Sequence, residues 1–382
     1  MPASLHANVN EALAAMGPGI THGIFHRGDA TGDIPHVLAA MANNAHLGVV
    51  VMDGAGTTPI GLAKVANVMV DHFGASQLRV KFVSCLGPVP SPPKAGHAYH
   101  VGGRVFTMYP LTKSTNILRD DLAELAIKPL VFKNVKAALR GGTLHTADIT
   151  GEGGAPHVGV IDLNFLDPQC AAFWIDNHIH FDRSTVVLWG RESGRVGGMH
   201  PDHDHSYTGM QQIVQRCGAH GPPYQVIVAG DYRATNEHGV ATATRQAIAA
   251  NATVIGKFWD ADDLFKDRFN QVRLFYVLKK MLKVRNCRMV HVGMRSGGLD
   301  MFGFSGQKAV YVSRAAGDDR MAPVAALFDD LDMGDTYQKH TAERLPKRGP
   351  HHAGKGGRTK AQRGYTDTDL DTLMGEINTA LA

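Results

Sequence analysis

Short runs of β-branched and aromatic residues alternate with stretches of helical spacing, and this alternation is set up twice along the chain. Between residues 19 and 90 the runs are GITHGIFH, HLGVVVMD and LRVKFVSC, separated by IPHVLAAMANN and IGLAKVANVMVDHF. Strand, helix, strand, helix in this order predicts a parallel α/β structure, because a parallel neighbour needs a crossover long enough to hold a helix. HAYHVGGRVFTMY and HVGVIDLNFL predict further strands, with a helix near ILRDDLAELA between them. After residue 183 the rhythm restarts. STVVLWG, PYQVIVAGD, ATVIGKFW, CRMVHVGM and KAVYVS read as strands, and YTGMQQIVQRC, ATATRQAIAA and FNQVRLFYVLKKMLK as helices between them.

A chain of 382 residues is long for one core and comfortable for two. The two rhythms therefore predict two doubly wound α/β domains facing a cleft, residues 1–175 and 176–336, alike in periodicity but without a repeat in sequence. A Gly-, Lys- and Arg-rich stretch, residues 337–364, reads as a basic loop. A final amphipathic helix over 365–382 is capped by Thr366 or Asp367.

Composition excludes several classes. Hydrophobic residues make up 44% and charged residues 19%, as in folded soluble proteins. No apolar run approaches the roughly 20 residues of a membrane span. The opening MPASLHANVNEALAAMG has no basic stretch leading into a long apolar one, so no secretory signal is expected. Cys85, Cys170, Cys217 and Cys287 form no CxxC pair, which favours buried thiols and a cytoplasmic location over a disulfide framework.

Glycine loops mark the places where chemistry is expected. GIFHRGDATGDIPHVLAAM (residues 23–41) runs from a strand through Gly28-Asp29 and Gly32-Asp33 into a helical pattern. Loops after parallel strands gather at the carboxyl edge of the sheet, where ligands bind. Taken alone, Asp33 reads as the N-cap of helix 34–44, where aspartate is favoured. Gly32-Asp33-Ile34-Pro35-His36-Val37-Leu38, however, resembles the N-terminal loop of the heptosyltransferase-like glycosyltransferases of the GT-B fold. That resemblance implies two Rossmann-like domains, with Asp33 as the base that deprotonates the acceptor hydroxyl and His36 beside it. Asp29, with His26 and Arg27, would line the same cleft.

The second loop is His291-Val-Gly-Met-Arg-Ser-Gly-Gly-Leu-Asp300, leading to the strand AVYVS. A Ser/Gly loop opening a helix is suited to an anion, since free amides and the helix dipole both favour phosphate. In the same family this position holds the donor diphosphate. Gly293, Ser296 and Gly297 match its pattern, while Arg295 replaces its aspartate and Asp300 its histidine. Gly298 lies in the same turn, and an arginine at 295 suits a diphosphate through its forked donors. A third stretch, Trp189-Gly190-Arg191-Glu192-Ser193-Gly194-Arg195, follows the first strand of the second half. GT-B enzymes set a basic residue there to face the leaving diphosphate, which implies that role for Arg191, with Arg195 behind it. Gly230-Asp231 ends the next strand and would approach the nucleotide. The resemblance thus implies a metal-independent, inverting transfer from a nucleotide-diphosphate sugar to an unidentified acceptor, with no resident cofactor.

Two rival readings use other residues. Read as a strand, His178 and His180 would face one way, and His200-Pro-Asp-His203-Asp-His205 clusters three more histidines; together they suggest a metal-dependent hydrolase. Eight Lys and Arg residues between Lys339 and Arg363, against the single acid Glu343, suggest nucleic-acid binding. That stretch has no aromatic residue to stack on bases, so a nucleic acid is the weaker partner.

Overall fold

The computed structural model describes residues 5–27, 46–53, 79–84, 97–109, 166–191, 205–232, 242–266, 268–294, 297–304, 307–314, 337–343 and 364–382. The chain divides into two compact units, residues 1–164 with 267–269, and residues 165–266 with 270–382. Each is built on one six-stranded sheet, and both units are α/β.

The first unit contains β1 (Leu5–His6), α1 (Val9–Ala14), β2 (His22–Arg27), β3 (Leu47–Asp53), β4 (Val80–Ser84), β5 (His97–Val101) and β6 (Arg104–Tyr109). The strand order is β1-β4-β3-β2-β6-β5, parallel throughout except for β5, which runs antiparallel to β6. Gly102 and Gly103 make that hairpin possible, since both take positive φ (56° and 77°) in a two-residue turn. Phe25, Val50, Met52, Val83, Phe106 and Met108 line one face and pack with Ala12, Leu13 and Met16 from α1 and the turn after it. A reciprocal cap starts α1: Asn8 Oδ1 accepts from the Glu11 amide at 3.0 Å, and Glu11 Oε2 accepts from the Ala7 amide at 3.0 Å. The turn that leads from α1 to β2 is held by Arg104, whose guanidinium donates to the carbonyls of Met16, Gly17 and Ile20 at 2.9, 2.6 and 2.9 Å.

In the second unit, α2 (Leu166–Asp176) precedes β7 (Thr185–Gly190), α3 (Tyr207–Ala219), β8 (Gln225–Gly230), α4 (Thr242–Asn251) and β9 (Thr253–Gly256). Then come α5 (Phe258–Ala261), a 3-10 turn (Asp263–Lys266), α6 (Arg268–Val284), β10 (Met289–Met294), α7 (Gly297–Phe304), β11 (Ala309–Arg314), β12 (Tyr337–Ala342) and α8 (Asp367–Leu381). All six strands are parallel, in the order β12-β11-β10-β7-β8-β9. The chain builds outward from β7 through β8 to β9, returns to lay β10 on the other side of β7, and builds outward again. The reversal lies between β7 and β10.

Both faces of this sheet are covered, and β7, β8 and β10 are buried along their whole length. One face carries Val186, Leu188, Val226, Val228, Val290, Val292, Val310 and Val312. Against it pack Met210, Ile213, Val214 and Cys217 of α3 and Leu370, Leu373, Met374, Ile377 and Leu381 of α8. Burial pushes the Cys217 thiol up to about 12, so it behaves as an inert core group. The opposite face is aromatic. Trp189 lies against Phe275 of α6 and Phe302 of α7, with centroids 5.3 and 4.9 Å apart, and Phe275 also packs on Trp174 of α2 at 5.1 Å. Trp174 Nε1 donates to the Leu274 carbonyl at 2.8 Å, so α2 belongs wholly with this sheet and the expected boundary at 175/176 cuts through it.

The stretch expected to be a basic loop from residue 337 opens instead with a strand. β12 pairs with β11 from Tyr337 to Ala342, and Tyr337, His340 and Ala342 are buried. His340 is fully buried, with its Nδ1 3.0 Å from Glu376 Oε2 on α8 but without the alignment of a hydrogen bond. Of the two expected caps of α8, Thr366 is the one used: its Oγ1 accepts from the Asp369 amide at 3.0 Å. Asp369 in turn accepts from the Glu343 amide at 2.7 Å, which fastens α8 to the end of β12. Among the described residues no helix is long and apolar enough to cross a membrane.

Candidate active site at the carboxyl edge of the second sheet

Register decides what meets at the carboxyl edge. Gly190 is opposite Gly230 on β8, and Trp189 is opposite Gly293 on β10. The edge is tight here. Gly230 has φ +85°, and a Cβ at that position would run into the Gly190 carbonyl oxygen. That carbonyl accepts from the Asp231 amide at 2.7 Å, so the backbones of the two strand ends are held together. At Gly293 a Cβ would lie 3.0 Å from the Trp189 Cβ.

Charged residues follow three neighbouring strands. Arg191 comes directly after β7 and is half-buried. Asp231 comes after β8 and Lys257 after β9, with Lys257 Nζ 4.0 Å from Asp231 Oδ1 and both side chains partly exposed. On the other side of β7, only Arg295 and Ser296 separate the end of β10 from the Gly297-Gly298 start of α7. One edge therefore offers a guanidinium, an ammonium, a carboxylate and the amide end of a helix, set around the point where the strand order reverses. In doubly wound sheets that crevice is where ligands bind.

Behind the edge, two buried histidines have fixed tautomers. Trp189 Nε1 can only donate, and it donates to His291 Nδ1 at 3.0 Å; the proton of His291 therefore sits on Nε2, which donates to Gln307 Oε1 at 3.1 Å. His291 also stacks on Phe302 with centroids 4.0 Å apart. Burial pushes its pKa down from 6.5 to about 3. His205 lies just before α3. Its Nδ1 is 3.4 Å from the Trp189 carbonyl, which can only accept, so Nδ1 carries the proton and Nε2 accepts from the Tyr365 hydroxyl at 3.1 Å. Desolvation lowers His205 to about 4, against the opposing pull of that carbonyl. Both rings are neutral at pH 7.

Of the residues expected from the sequence, the structure places Arg191, Gly230, Asp231, Gly297 and Gly298 along this one edge. Asp300 needs correction as a donor contact. It is only 1% exposed and accepts from the Tyr337 hydroxyl of β12, so it orients α7 from within the domain. Asp29, Asp33, His36, Arg195, Arg295 and Ser296 lie outside the described residues, as do His200 and His203 and all the basic residues of 344–363. The described chain leads toward Asp29 and Asp33 from the carboxyl end of β2, which has β3 on one side and β6 on the other.

The paired histidines do not lie on a strand. His178 and His180 follow α2 in a turn, where His178 takes φ 55° and the His180 amide donates to Gln225 Oε1 at 2.7 Å, so the alternation argument for a shared metal does not apply. Among the described residues no three His, Cys, Asp or Glu side chains are grouped to hold a metal ion. Two participants were missed in the sequence. Lys257 fell inside the expected strand ATVIGKFW, which in the structure ends at Gly256. Tyr365 had no signal, since its partner is 160 residues away.

No protein-family model matches the chain, and no curated protein matches it in sequence. The chain is weakly similar to solved structures that include two glycosyltransferases. A glycosyl transferase family 9 protein from Veillonella parvula has a TM-score of 0.32 and 11% identity, over 78% of this chain and 82% of that one. A glycosyltransferase from Rickettsia africae has a TM-score of 0.34 and 8% identity, over 86% of each chain. HepE from Anabaena, solved with UDP and glucose, has a TM-score of 0.31 and 11% identity, over 77% of this chain and 81% of its own. The α/β architecture described above stands on its own strand order.

Proposed function

We propose that the chain is a glycosyltransferase that moves a sugar from a nucleotide-diphosphate donor to a hydroxyl acceptor. The observation that supports this reading is the reversal of strand order between β7 and β10, with Arg191 following β7 and α7 following β10, since ligands of doubly wound sheets bind beside such a reversal. Arg191 pairs with the diphosphate and stabilises the charge that develops as the sugar leaves. The amides of Gly297 and Gly298, preceded by Arg295 and Ser296, hold the same phosphates at the helix end. Asp231 and Lys257 lie farther along the edge, toward the nucleoside. In the first domain Asp33 acts as the base, taking the proton as the acceptor oxygen attacks the anomeric carbon and the bond to the diphosphate breaks. One displacement of this kind inverts the anomeric centre. Protein cations and the helix end carry the diphosphate charge, so no metal is required.

The test is a thermal-shift screen against nucleoside diphosphates and nucleotide sugars, each with and without a chelator. A rise in melting temperature with one nucleotide family, unchanged by the chelator, is expected. No response to any nucleotide would overturn the reading. A response that disappears with the chelator would overturn its metal-independent form.

A further inference from the structure

Arg191 is held by a part of the chain far from it in sequence. The His205 amide donates to the Arg191 carbonyl at 3.1 Å, and the His205 ring donates through Nδ1 to the Trp189 carbonyl at 3.4 Å. One residue thus grips the strand end on both sides of Gly190. His205 is itself fixed on its other nitrogen by the Tyr365 hydroxyl, the two rings meeting edge-on with centroids 6.0 Å apart. Both side chains are buried, at 1% and 2% exposure.

Tyr365 is anchored independently. Its amide donates to Gln212 Oε1 at 2.8 Å, and Gln212 Nε2 returns a bond to the Tyr365 carbonyl at 3.2 Å. Gly364 lies so close to the Gln212 amide that a Cβ there would strike it. His205 immediately precedes the Ser206 cap of α3, and Tyr365 the Thr366 cap of α8. The two helices therefore enter the domain through residues that touch each other, and the product of that contact is a fixed backbone at residues 189–191.

We propose that His205 and Tyr365 are positioning residues for Arg191: through the His205 ring they hold the end of β7 so that the Arg191 side chain meets the diphosphate without prior ordering. This rests on the reading of Arg191 as the diphosphate-binding arginine. A charge-assisted contact depends strongly on geometry, and a guanidinium on a loosened strand end pays for its ordering at the moment of binding.

The probe is inorganic pyrophosphate, titrated into the full chain by calorimetry, with amide exchange followed in parallel over peptides spanning residues 187–206. Tyr365→Phe keeps the ring and removes the donor; it is expected to weaken pyrophosphate binding about fivefold and to speed exchange of the His205 amide, with β8 and β9 unchanged. His205→Leu is expected to weaken binding further. His205→Asn, whose amide can still donate to the Trp189 carbonyl, is expected to recover much of the loss. A merely structural role would not give that order in binding with β8 and β9 exchange held constant. If Tyr365→Phe and His205→Leu bind as tightly as the unaltered chain while Arg191→Ala does not, the positioning role is overturned and the diphosphate reading stands. If the unaltered chain binds neither pyrophosphate nor any nucleoside diphosphate, the diphosphate reading fails and the positioning role for it falls with it; faster exchange at His205 would then show only a structural latch.

Discussion

The indole of Trp189 donates to Nδ1 of His291 at 3.0 Å, joining β7 to β10, the two strands between which the second sheet reverses. The bond runs through an aromatic layer that excludes water, and His291 passes it on to Gln307, which donates to the Val272 carbonyl on α6 at 3.3 Å. Strand, strand and helix are thus fixed to one another by neutral polar groups in which each donor meets an acceptor.

Breaking that chain leaves a buried indole N–H and the Gln307 carbonyl oxygen without their partner. His291→Leu is therefore expected to destabilise the second unit by about 2–3 kcal/mol, more than the loss of volume alone explains. Urea melts followed by tryptophan fluorescence measure this directly. A loss under 1 kcal/mol would mean that the network contributes little beyond packing.

The same burial sets a pH dependence. His205 and His291 have folded pKa values of about 4 and 3, below the 6.5 of the unfolded chain. Between these limits the unfolded state binds more protons, so stability from both groups is fully present above pH 6.5 and falls as pH drops below it. From pH 7 to pH 5 the two together are expected to cost about 3–4 kcal/mol. Denaturant midpoints for the second unit at the two pH values test this, and His291→Leu should remove about half of the slope.

Gly230 is the tightest point on the edge. Gly230→Ala must place a methyl against the Gly190 carbonyl at a φ that L residues rarely adopt, and a loss of about 2 kcal/mol or more is expected. Because Gly190 precedes Arg191, nucleotide affinity should fall in the same variant. Retained stability with retained affinity would show that the strand ends have room to part.

The two halves of the proposed reaction separate by mutation. Arg191→Ala is expected to weaken nucleoside diphosphate binding by about 10- to 100-fold and slow sugar departure. Asp33→Asn is expected to abolish turnover with donor binding nearly intact. Equal loss of donor binding in both variants would remove Asp33 as the base.

The central strands of the second sheet were legible because a parallel strand buried on both faces is mostly apolar, as TVVLWG, QVIVAG and MVHVGM are. β12 was not legible. Its sequence, YQKHTA, is that of an edge strand, and His340 is buried under a helix that comes much later in the chain, where Glu376 lies across from it. Gly230 and Asp231 were expected at the edge from a local rule, that the residues at the carboxyl end of a parallel strand gather there, while Arg191 was singled out by the resemblance to GT-B enzymes. His205 shows where local rules stop. Its spacing from His200 and His203 suggested a metal, but its ring is taken up by residues 189 and 365, neither of which that spacing involves.

Helix α8 is synthesised after all six strands of the sheet it covers. Until Leu370, Leu373, Ile377 and Leu381 have left the ribosome, the face formed by Val290, Val292, Val310 and Val312 is complete in its strands and open to water. A nascent chain paused before residue 366 would expose that half-core, the kind of apolar surface on which incomplete chains associate.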